Sequence, residues 1–208
     1  MTAVADRTLR ADAARNVARI LRAARDVYGE LGPDAPVEVV AARAGVGERT
    51  LYRRFPAKAD LIRAALDQGI AEDLTPVIAE ARRCEDALYG LTQLFEAAIA
   101  LGSREQNLLI AAQRAGSLTA DISDSLTGAL NELVVRGQQD GVIREDLVAA
   151  DLLRLIGMLY SVLSTMEPAS DGWRRYVALV LDAISTSERR PLPPAAAFRA
   201  IEPTNWPL

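Results

Sequence analysis

A seven-residue stretch, Glu48-Arg49-Thr50-Leu51-Tyr52-Arg53-Arg54, carries three guanidinium groups and two hydroxyl groups. Arginine can pair with a phosphate group, or it can read guanine O6 and N7 through two parallel hydrogen bonds. Threonine and tyrosine hydroxyl groups, and the ammonium group of Lys58, can hold phosphate oxygens. Leu51 and Phe55 stand four residues apart, so a helix would turn both toward a core and leave the polar side chains outside. The pattern is typical of a surface that binds a polyanion.

The elements that must position this stretch are also readable from the sequence. A first helix from about Ala13 to Leu31 has one apolar stripe, and Gly32-Pro33 ends it. A short helix at about 37–44 follows. The turn Gly45-Val46-Gly47 then leads into a third helix at 48–55, which Pro56 ends. Two short helices joined by a three-residue turn and flanked by longer helices form a helix-turn-helix unit, whose second short helix enters the major groove of DNA.

The residues from Ala41 to Lys58, AARAGVGERTLYRRFPAK, resemble the DNA-binding signature of the TetR (tetracycline repressor-like) family of transcriptional regulators. The resemblance covers about Arg15 to Ala65, and it implies phosphate contacts from Thr50, Tyr52 and Lys58 and base contacts from Arg49 and its neighbours. The DNA-binding residues predicted in this way are Gly47, Glu48, Arg49, Thr50, Tyr52, Arg53, Arg54 and Lys58.

Two positions depart from the pattern of this family. Pro36 stands where a serine or threonine often caps the second helix, and Gly47 stands where serine is frequent. Neither residue has a side-chain oxygen that could accept a hydrogen bond from the first turn of a helix. We therefore expect one helix cap and one phosphate contact to be missing.

The distribution of charge supports a nucleic-acid partner. The whole chain of 208 residues is acidic, with a formal net charge of −4. Residues 1–66 nevertheless hold 12 basic and 8 acidic residues, and the remainder holds 12 basic and 20 acidic residues. A basic module attached to an acidic one is the pattern of a polyanion-binding domain joined to a domain with another task.

Several classes of protein are disfavoured by residues that are missing. The chain has no histidine, one cysteine (Cys84) and one lysine (Lys58). Histidine-dependent catalysis, disulfides and most metal sites are therefore excluded, and we expect no enzymatic activity, no cofactor and no metal. The sequence has no apolar run long enough for a membrane span and no signal-peptide core at its start, which predicts a cytoplasmic protein without a membrane partner.

The predicted fold is all-α, with about nine helices. Residues 10–56 form the three-helix DNA-binding domain, residues 57–188 form a helical ligand-binding and dimerisation domain, and residues 189–208 form a proline-rich tail. A long fourth helix is expected at about 57–83, with a kink or break at Pro76. The five remaining helices are expected at about 86–101, 104–115, 119–139, 147–166 and 172–187.

The last two helices are predicted to form a homodimer. Apolar residues cover almost every side of the segment 147–166, and such a helix must be buried on both faces. The alternative is a helix at the centre of a monomeric bundle. The predicted interface residues are Leu152, Leu155, Ile156, Leu159, Leu163, Trp173, Tyr176, Val177, Val180 and Ile184.

A small-molecule effector is implied by the family resemblance. Its candidate contacts are Phe95, Ile99, Leu109, Gln113, Leu130, Val134 and Met158, although residues of this kind are more often ordinary core than ligand contacts. The leading interpretation is a ligand-responsive homodimeric repressor that a small molecule releases from a palindromic operator in double-stranded DNA. The alternatives are a helical small-molecule-binding protein or enzyme with a vestigial helix-turn-helix, and a protein–protein adaptor.

Overall fold

The computed structural model describes residues 2–116, 121–167 and 170–185, and the side chains of residues 13–116, 125–167 and 170–185. This part of the chain is all-α, and its only extended pairing is an isolated bridge between Ile143 and Ser185. The α-helices are α1 (Thr2–Leu31), α2 (Val37–Arg43), α3 (Glu48–Arg54), α4 (Lys58–Asp73), α5 (Thr75–Arg83), α6 (Ala87–Arg104), α7 (Gln106–Arg114), α8 (Asp121–Gln139), α9 (Ala149–Leu163) and α10 (Arg174–Ile184), and a 3₁₀ turn spans Asp171–Trp173. The predicted tail at 189–208 lies outside the described residues.

Packing divides the chain into two units. The first comprises Met1–Gly69 and Glu105–Leu118, and the second comprises Ile70–Arg104 and Thr119–Leu208. The division between these units differs from the predicted boundary after residue 56, because most of α4 and all of α7 pack with the N-terminal helices. The functional division at residues 10–56 and 57–188 stays a prediction. None of the described helices combines the length and apolar character needed to cross a bilayer.

The first unit is built around the stripe of α1 that the sequence predicts. Ile20, Ala24, Val27 and Tyr28 are each at most 1% exposed. They share one core with side chains from α2, α3, α4 and α7, among them Val40, Leu51, Leu61, Ile62, Leu108 and Ala112. The core therefore contacts every helix that fixes the position of α3.

The turn between α2 and α3 depends on Gly45, which has φ +64°. The Gly45 N–H donates to the carbonyl of Ala42 at 3.0 Å, and the Val46 N–H donates to the carbonyl of Ala41 at 3.0 Å. This is the Schellman arrangement, which satisfies the last carbonyl groups of a helix and favours glycine in the left-handed conformation. It directs the chain from α2 into α3.

The second unit has a separate core, to which α5, α6, α8, α9 and α10 contribute. Two glycines permit its close packing. A Cβ at Gly102 would lie 2.2 Å from Cε1 of Tyr160, and one at Gly137 would lie 2.4 Å from Cδ1 of Ile143. Both distances are far below van der Waals contact, so any larger residue would displace a neighbouring side chain.

The structure confirms one predicted helix break and contradicts another. The fourth predicted helix breaks into α4 and α5 at Leu74, because Pro76 lacks an N–H and its ring clashes with the preceding turn. This is the break that the sequence allowed, and it raises the number of α-helices among the described residues to ten. The expected break at Gly102-Ser103 is wrong, since α6 continues to Arg104 and the chain breaks at Glu105.

Candidate nucleic-acid interface

Helix α3 is anchored by two inward side chains. Leu51 is 1% exposed and Phe55 is 7% exposed, and both belong to the core of the first unit. Each residue of an α-helix turns the side-chain direction by about 100°, so Arg49 and Arg53 lie about 160° from Leu51 on either side. The two arginines therefore share the face of α3 that is directed away from the core.

All eight predicted DNA-binding residues lie on α3 or on the segments that flank it. Seven are exposed to solvent and Thr50 is partly buried. The structure thus brings the predicted residues together on one surface, which we call the α3 surface and define as Gly47, Glu48, Arg49, Thr50, Tyr52, Arg53, Arg54 and Lys58. That these residues contact DNA stays a prediction.

The arginines of the first unit fall into two groups. Arg43 forms a bidentate pair with Glu30, with Nη2–Oε2 at 2.7 Å and Nη1–Oε1 at 2.9 Å. Hydrogen bonding to Arg43 lowers the pKa of the Glu30 carboxyl group. In the described part of the chain, the side chains of Arg49, Arg53 and Arg54 have no comparable partner. Arg43 is used to join α2 to α1, whereas the three α3 arginines are available to a ligand.

Lys58 lies at the start of α4 and is fixed from two sides. Its Nζ donates to the carbonyl of Ala35 at 3.0 Å and lies 5.6 Å from the centroid of the Tyr28 ring. Burial raises the pKa of Tyr28 to about 12, with a smaller contribution from the Asp34 carboxylate. The phenol that contacts the Lys58 ammonium group is therefore neutral around neutral pH. An ammonium group has three donors, and the side chain of Lys58 remains exposed, so it can also reach a phosphate.

Tyr52 is held in place by an acidic residue of α2. Its hydroxyl group donates to Oε1 of Glu38 at 3.4 Å. Desolvation raises the pKa of Tyr52, and the Glu38 and Glu48 carboxylates raise it further. The hydroxyl group therefore stays protonated around neutral pH and can donate to a phosphate oxygen. The sequence analysis did not single out Glu38, because an acidic residue in the first turn of a helix is common.

The missing cap expected at Pro36 is confirmed, and the missing phosphate contact stays a prediction. Pro36 precedes α2 and Gly47 precedes α3, and neither provides a side-chain cap. The start of α3 is held instead by the Gly47 carbonyl, which accepts hydrogen bonds from Thr50 N–H at 2.9 Å and from Leu51 N–H at 3.1 Å.

A buried ion pair in the first unit was missed by the sequence analysis. Arg25 Nε on α1 lies 2.7 Å from Oε1 of Glu105, the residue between α6 and α7. Glu105 is 6% exposed and is the only charged residue among those described that counts as buried. The two residues are 80 positions apart, so no local pattern could have linked them.

The predicted effector contacts do not form one cluster. Phe95, Ile99, Leu130 and Val134 are buried in the core of the second unit. Leu109 and Gln113 lie on α7 in the first unit, where Leu109 is partly buried and Gln113 is exposed. Met158 is 65% exposed on α9 and faces away from the core. The first four residues stay candidates for an apolar ligand contact, while the position of Met158 corrects its prediction as an interior residue.

The predicted dimer interface also needs correction. Seven of its ten residues, namely Leu152, Ile156, Leu159, Leu163, Trp173, Val177 and Ile184, are buried in the core of their own unit. Leu155, Tyr176 and Val180 are partly buried. The predicted interface residues therefore lie mainly on the inward sides of α9 and α10. Of the other apolar residues of these helices, Met158 and Leu179 are exposed, whereas Leu155, Val162, Tyr176 and Val180 are partly buried against the core.

Comparison with known proteins identifies the type of the first unit. Residues 20–65 match the model of the family described as bacterial regulatory proteins, tetR family. These residues span the last twelve residues of α1, all of α2 and α3, and the first half of α4. They lie within the range of the resemblance noted in the sequence. A search of curated proteins finds no match.

Solved structures of similar fold extend over most of the chain. A TetR transcriptional regulator from Streptomyces coelicolor has 27% identity and a TM-score of 0.58, covering 82% of this chain and 99% of its own. A TetR regulatory protein from Mycobacterium vanbaalenii has 25% identity and a TM-score of 0.60, covering 86% and 99%. The regulator AibR, solved with isovaleryl coenzyme A and operator DNA, shares the fold at 16% identity and a TM-score of 0.62, covering 81% and 97%.

Proposed function

We propose that this chain, whose residues 20–65 match the tetR family of bacterial regulatory proteins, is a regulator of that family and binds an operator in double-stranded DNA through the α3 surface. The observation that carries the proposal is the group of exposed arginines on α3, for which the described part of the chain provides no carboxylate partner. Solvent-exposed cationic side chains on a short helix that the core holds in place can bind the phosphate groups of a polyanion.

The α3 surface offers donors of two kinds. Tyr52, Thr50 and Lys58 are suited to phosphate oxygens, which fix the register of a protein on DNA without reading its sequence. Arg49 and Arg53 lie on the outermost face of the helix, where side chains reach the edges of the bases in a major groove. The two sets together provide both affinity and sequence specificity.

Binding through phosphates has a measurable signature. For about eight phosphate contacts, the logarithm of the association constant should fall with the logarithm of salt concentration with a slope near −7. Fluorescence anisotropy with labelled duplex DNA measures this slope.

Tyr52→Phe should weaken DNA binding several-fold because it removes one donor to a phosphate. Tyr89→Phe is the matched control, since Tyr89 is 53% exposed on α6 in the other unit. Equal affinities for the two variants would contradict the role given to Tyr52.

We also propose a homodimer, which is the assembly that a palindromic operator requires. The support is the apolar surface that α9 and α10 leave exposed. Met158 is 65% exposed and Leu179 is 43% exposed. Leu155 and Val162 stand three residues before and four residues after Met158, so the three side chains form one helical stripe. A second copy of the chain is the partner that would cover this stripe.

The proposed effector is a small molecule with an apolar part, because Phe95, Ile99, Leu130 and Val134 are all at most 3% exposed in an apolar core. The AibR complex, with a coenzyme A thioester and operator DNA in one structure, supports the analogy. A ligand releases DNA only if it favours the free conformation. Fatty acids and acyl coenzyme A thioesters are therefore the first panel for thermal-shift measurements. A hit should also lower DNA affinity, and a hit that leaves it unchanged would contradict the proposed release.

A further inference from the structure

Two arginines on α3 have the geometry of a pair of base readers. Arg49 and Arg53 are four residues apart, both are exposed, and both face away from Leu51. Their Cα atoms are separated by about 6 Å along the helix axis. Successive base pairs are about 3.4 Å apart, so the two guanidinium groups can reach bases that are one or two steps apart.

Within the residues that the structure describes, neither guanidinium group has a carboxylate partner. Arg25 and Arg43 in the same unit are directed at carboxylates at 2.7 Å. No such pair exists for Arg49 or Arg53 among the described residues. The Glu38 carboxylate on α2 accepts a hydrogen bond from the Tyr52 hydroxyl group at 3.4 Å, and both Glu38 and Glu48 raise the pKa of Tyr52. The arginine fork is therefore free to make two parallel hydrogen bonds to one base.

The chemistry of the surrounding sequence narrows the choice of base. Between Asn16 and Gln68 the chain has no asparagine or glutamine. These amides are the side chains that read adenine through two hydrogen bonds, whereas arginine does the same with guanine. Glu48 is a carboxylate that can only accept, and its specific base partner is the N4 amino group of cytosine. Every strong base reader on the α3 surface thus selects a G·C pair.

We infer that Arg49 and Arg53 each read a guanine in the major groove, so each operator half-site contains two G·C pairs within about two base steps. This inference rests on the proposed function, because it assumes that α3 enters the major groove. It adds the chemical identity of the sequence that is recognised and assigns Arg53 as a second specificity-determining residue.

The test is selection of bound duplexes from a random DNA pool by the full chain, by Arg49→Ala and by Arg53→Ala. The wild-type protein should enrich half-sites with two invariant guanines, and each variant should lose the preference at one of them. Binding to the selected site should fall about 5- to 150-fold for each variant. Arg83→Ala is the charge-matched control, an exposed arginine on α5 of the other unit, and it should retain both guanines.

A second measurement separates base reading from general electrostatics. Replacing either guanine of the selected site by 7-deazaguanine removes the N7 acceptor without changing the charge of the DNA. The substitution should weaken DNA binding by the wild-type protein. It should not weaken DNA binding by the variant that lacks the arginine for that guanine. Circular dichroism melting of each variant shows whether it is folded, and Arg→Lys at the same positions preserves the charge while removing the fork.

The possible failures are distinguishable. Enrichment of half-sites whose invariant positions are all A·T would overturn the inference while leaving sequence-specific DNA binding intact. The same conclusion would follow if both variants retained both guanines. Absence of any enriched sequence would overturn the proposed function and the inference with it.

Discussion

At the scale of single residues, the hydrogen-bond donors of the α3 surface lie beside one carboxylate, that of Glu38, which already accepts a hydrogen bond from Tyr52. The Tyr52 hydroxyl group donates to Glu38 at 3.4 Å, so a phosphate must compete with Glu38 for this donor. Glu38 also places a negative charge beside the site that DNA would occupy. The sequence predicted Tyr52 and Lys58 from their spacing, but their partners Glu38 and Ala35 depend on how α2 packs, and spacing alone does not reveal that.

The role of Glu38 can be tested by neutralising it. Glu38→Gln retains the size of the side chain, and it removes one charge that repels phosphate. We expect DNA affinity to rise a few-fold, and the gain should shrink as salt is increased. Glu80→Gln is a matched control, since Glu80 is exposed on α5 in the other unit. A loss of affinity in Glu38→Gln would show instead that Glu38 is needed to position Tyr52.

At the scale of elements, Gly45 and Gly47 provide a matched pair in the turn before α3. A Cβ at either position would meet nothing within 4 Å, but Gly45 has φ +64° and Gly47 has φ −70°. Gly45→Ala should therefore destabilise the protein by about 1–2 kcal/mol through backbone strain alone. Gly47→Ser should be neutral or slightly stabilising, because serine can cap α3. Urea unfolding measures both, and equal destabilisation would contradict this interpretation of the turn.

A second prediction at the scale of elements concerns the ion pair between Arg25 on α1 and Glu105, the residue before α7. Glu105→Gln removes the carboxylate that lies 2.7 Å from the Arg25 guanidinium group, which is also largely buried. Breaking a buried pair in this way typically costs about 3–5 kcal/mol of unfolding free energy. The control is Asp34→Asn, which breaks an exposed pair with Arg114 and should cost at most about 1 kcal/mol. Similar effects of the two substitutions in urea unfolding would contradict the special role of the buried pair.

Some features of the helices follow from the local sequence, and others depend on contacts with distant residues. The stripe of α1, the two short helices and the break at Pro76 follow from local rules, and all were predicted. The continuation of α6 through Gly102 was not predicted, because the glycine there accommodates the ring of Tyr160, which is 58 positions later in the chain. The interface residues of α9 were misassigned because an all-round apolar helix does not reveal which side packs internally.

At the scale of the whole molecule, the proposed dimer makes a prediction about α9. Met158→Glu places a charge on the outward apolar stripe without touching the core, since Met158 is 65% exposed. We expect the variant to shift from dimer toward monomer in size-exclusion chromatography with light scattering, and to lose affinity for a palindromic site. Tyr89→Glu, at a position on α6 that is 53% exposed, should remain dimeric. A monomeric wild-type protein, or an unaffected Met158→Glu variant, would contradict this interface.

The central claim is that this chain is a sequence-specific DNA-binding regulator that acts through α3. The most direct test is selection of duplexes bound by the wild-type protein from a random pool. The proposal predicts a palindromic consensus whose half-site centres are separated by about one helical turn of DNA, roughly 34 Å, or a multiple of it. A pool that remains unenriched at moderate salt, with no salt-dependent binding to any duplex, would contradict the claim.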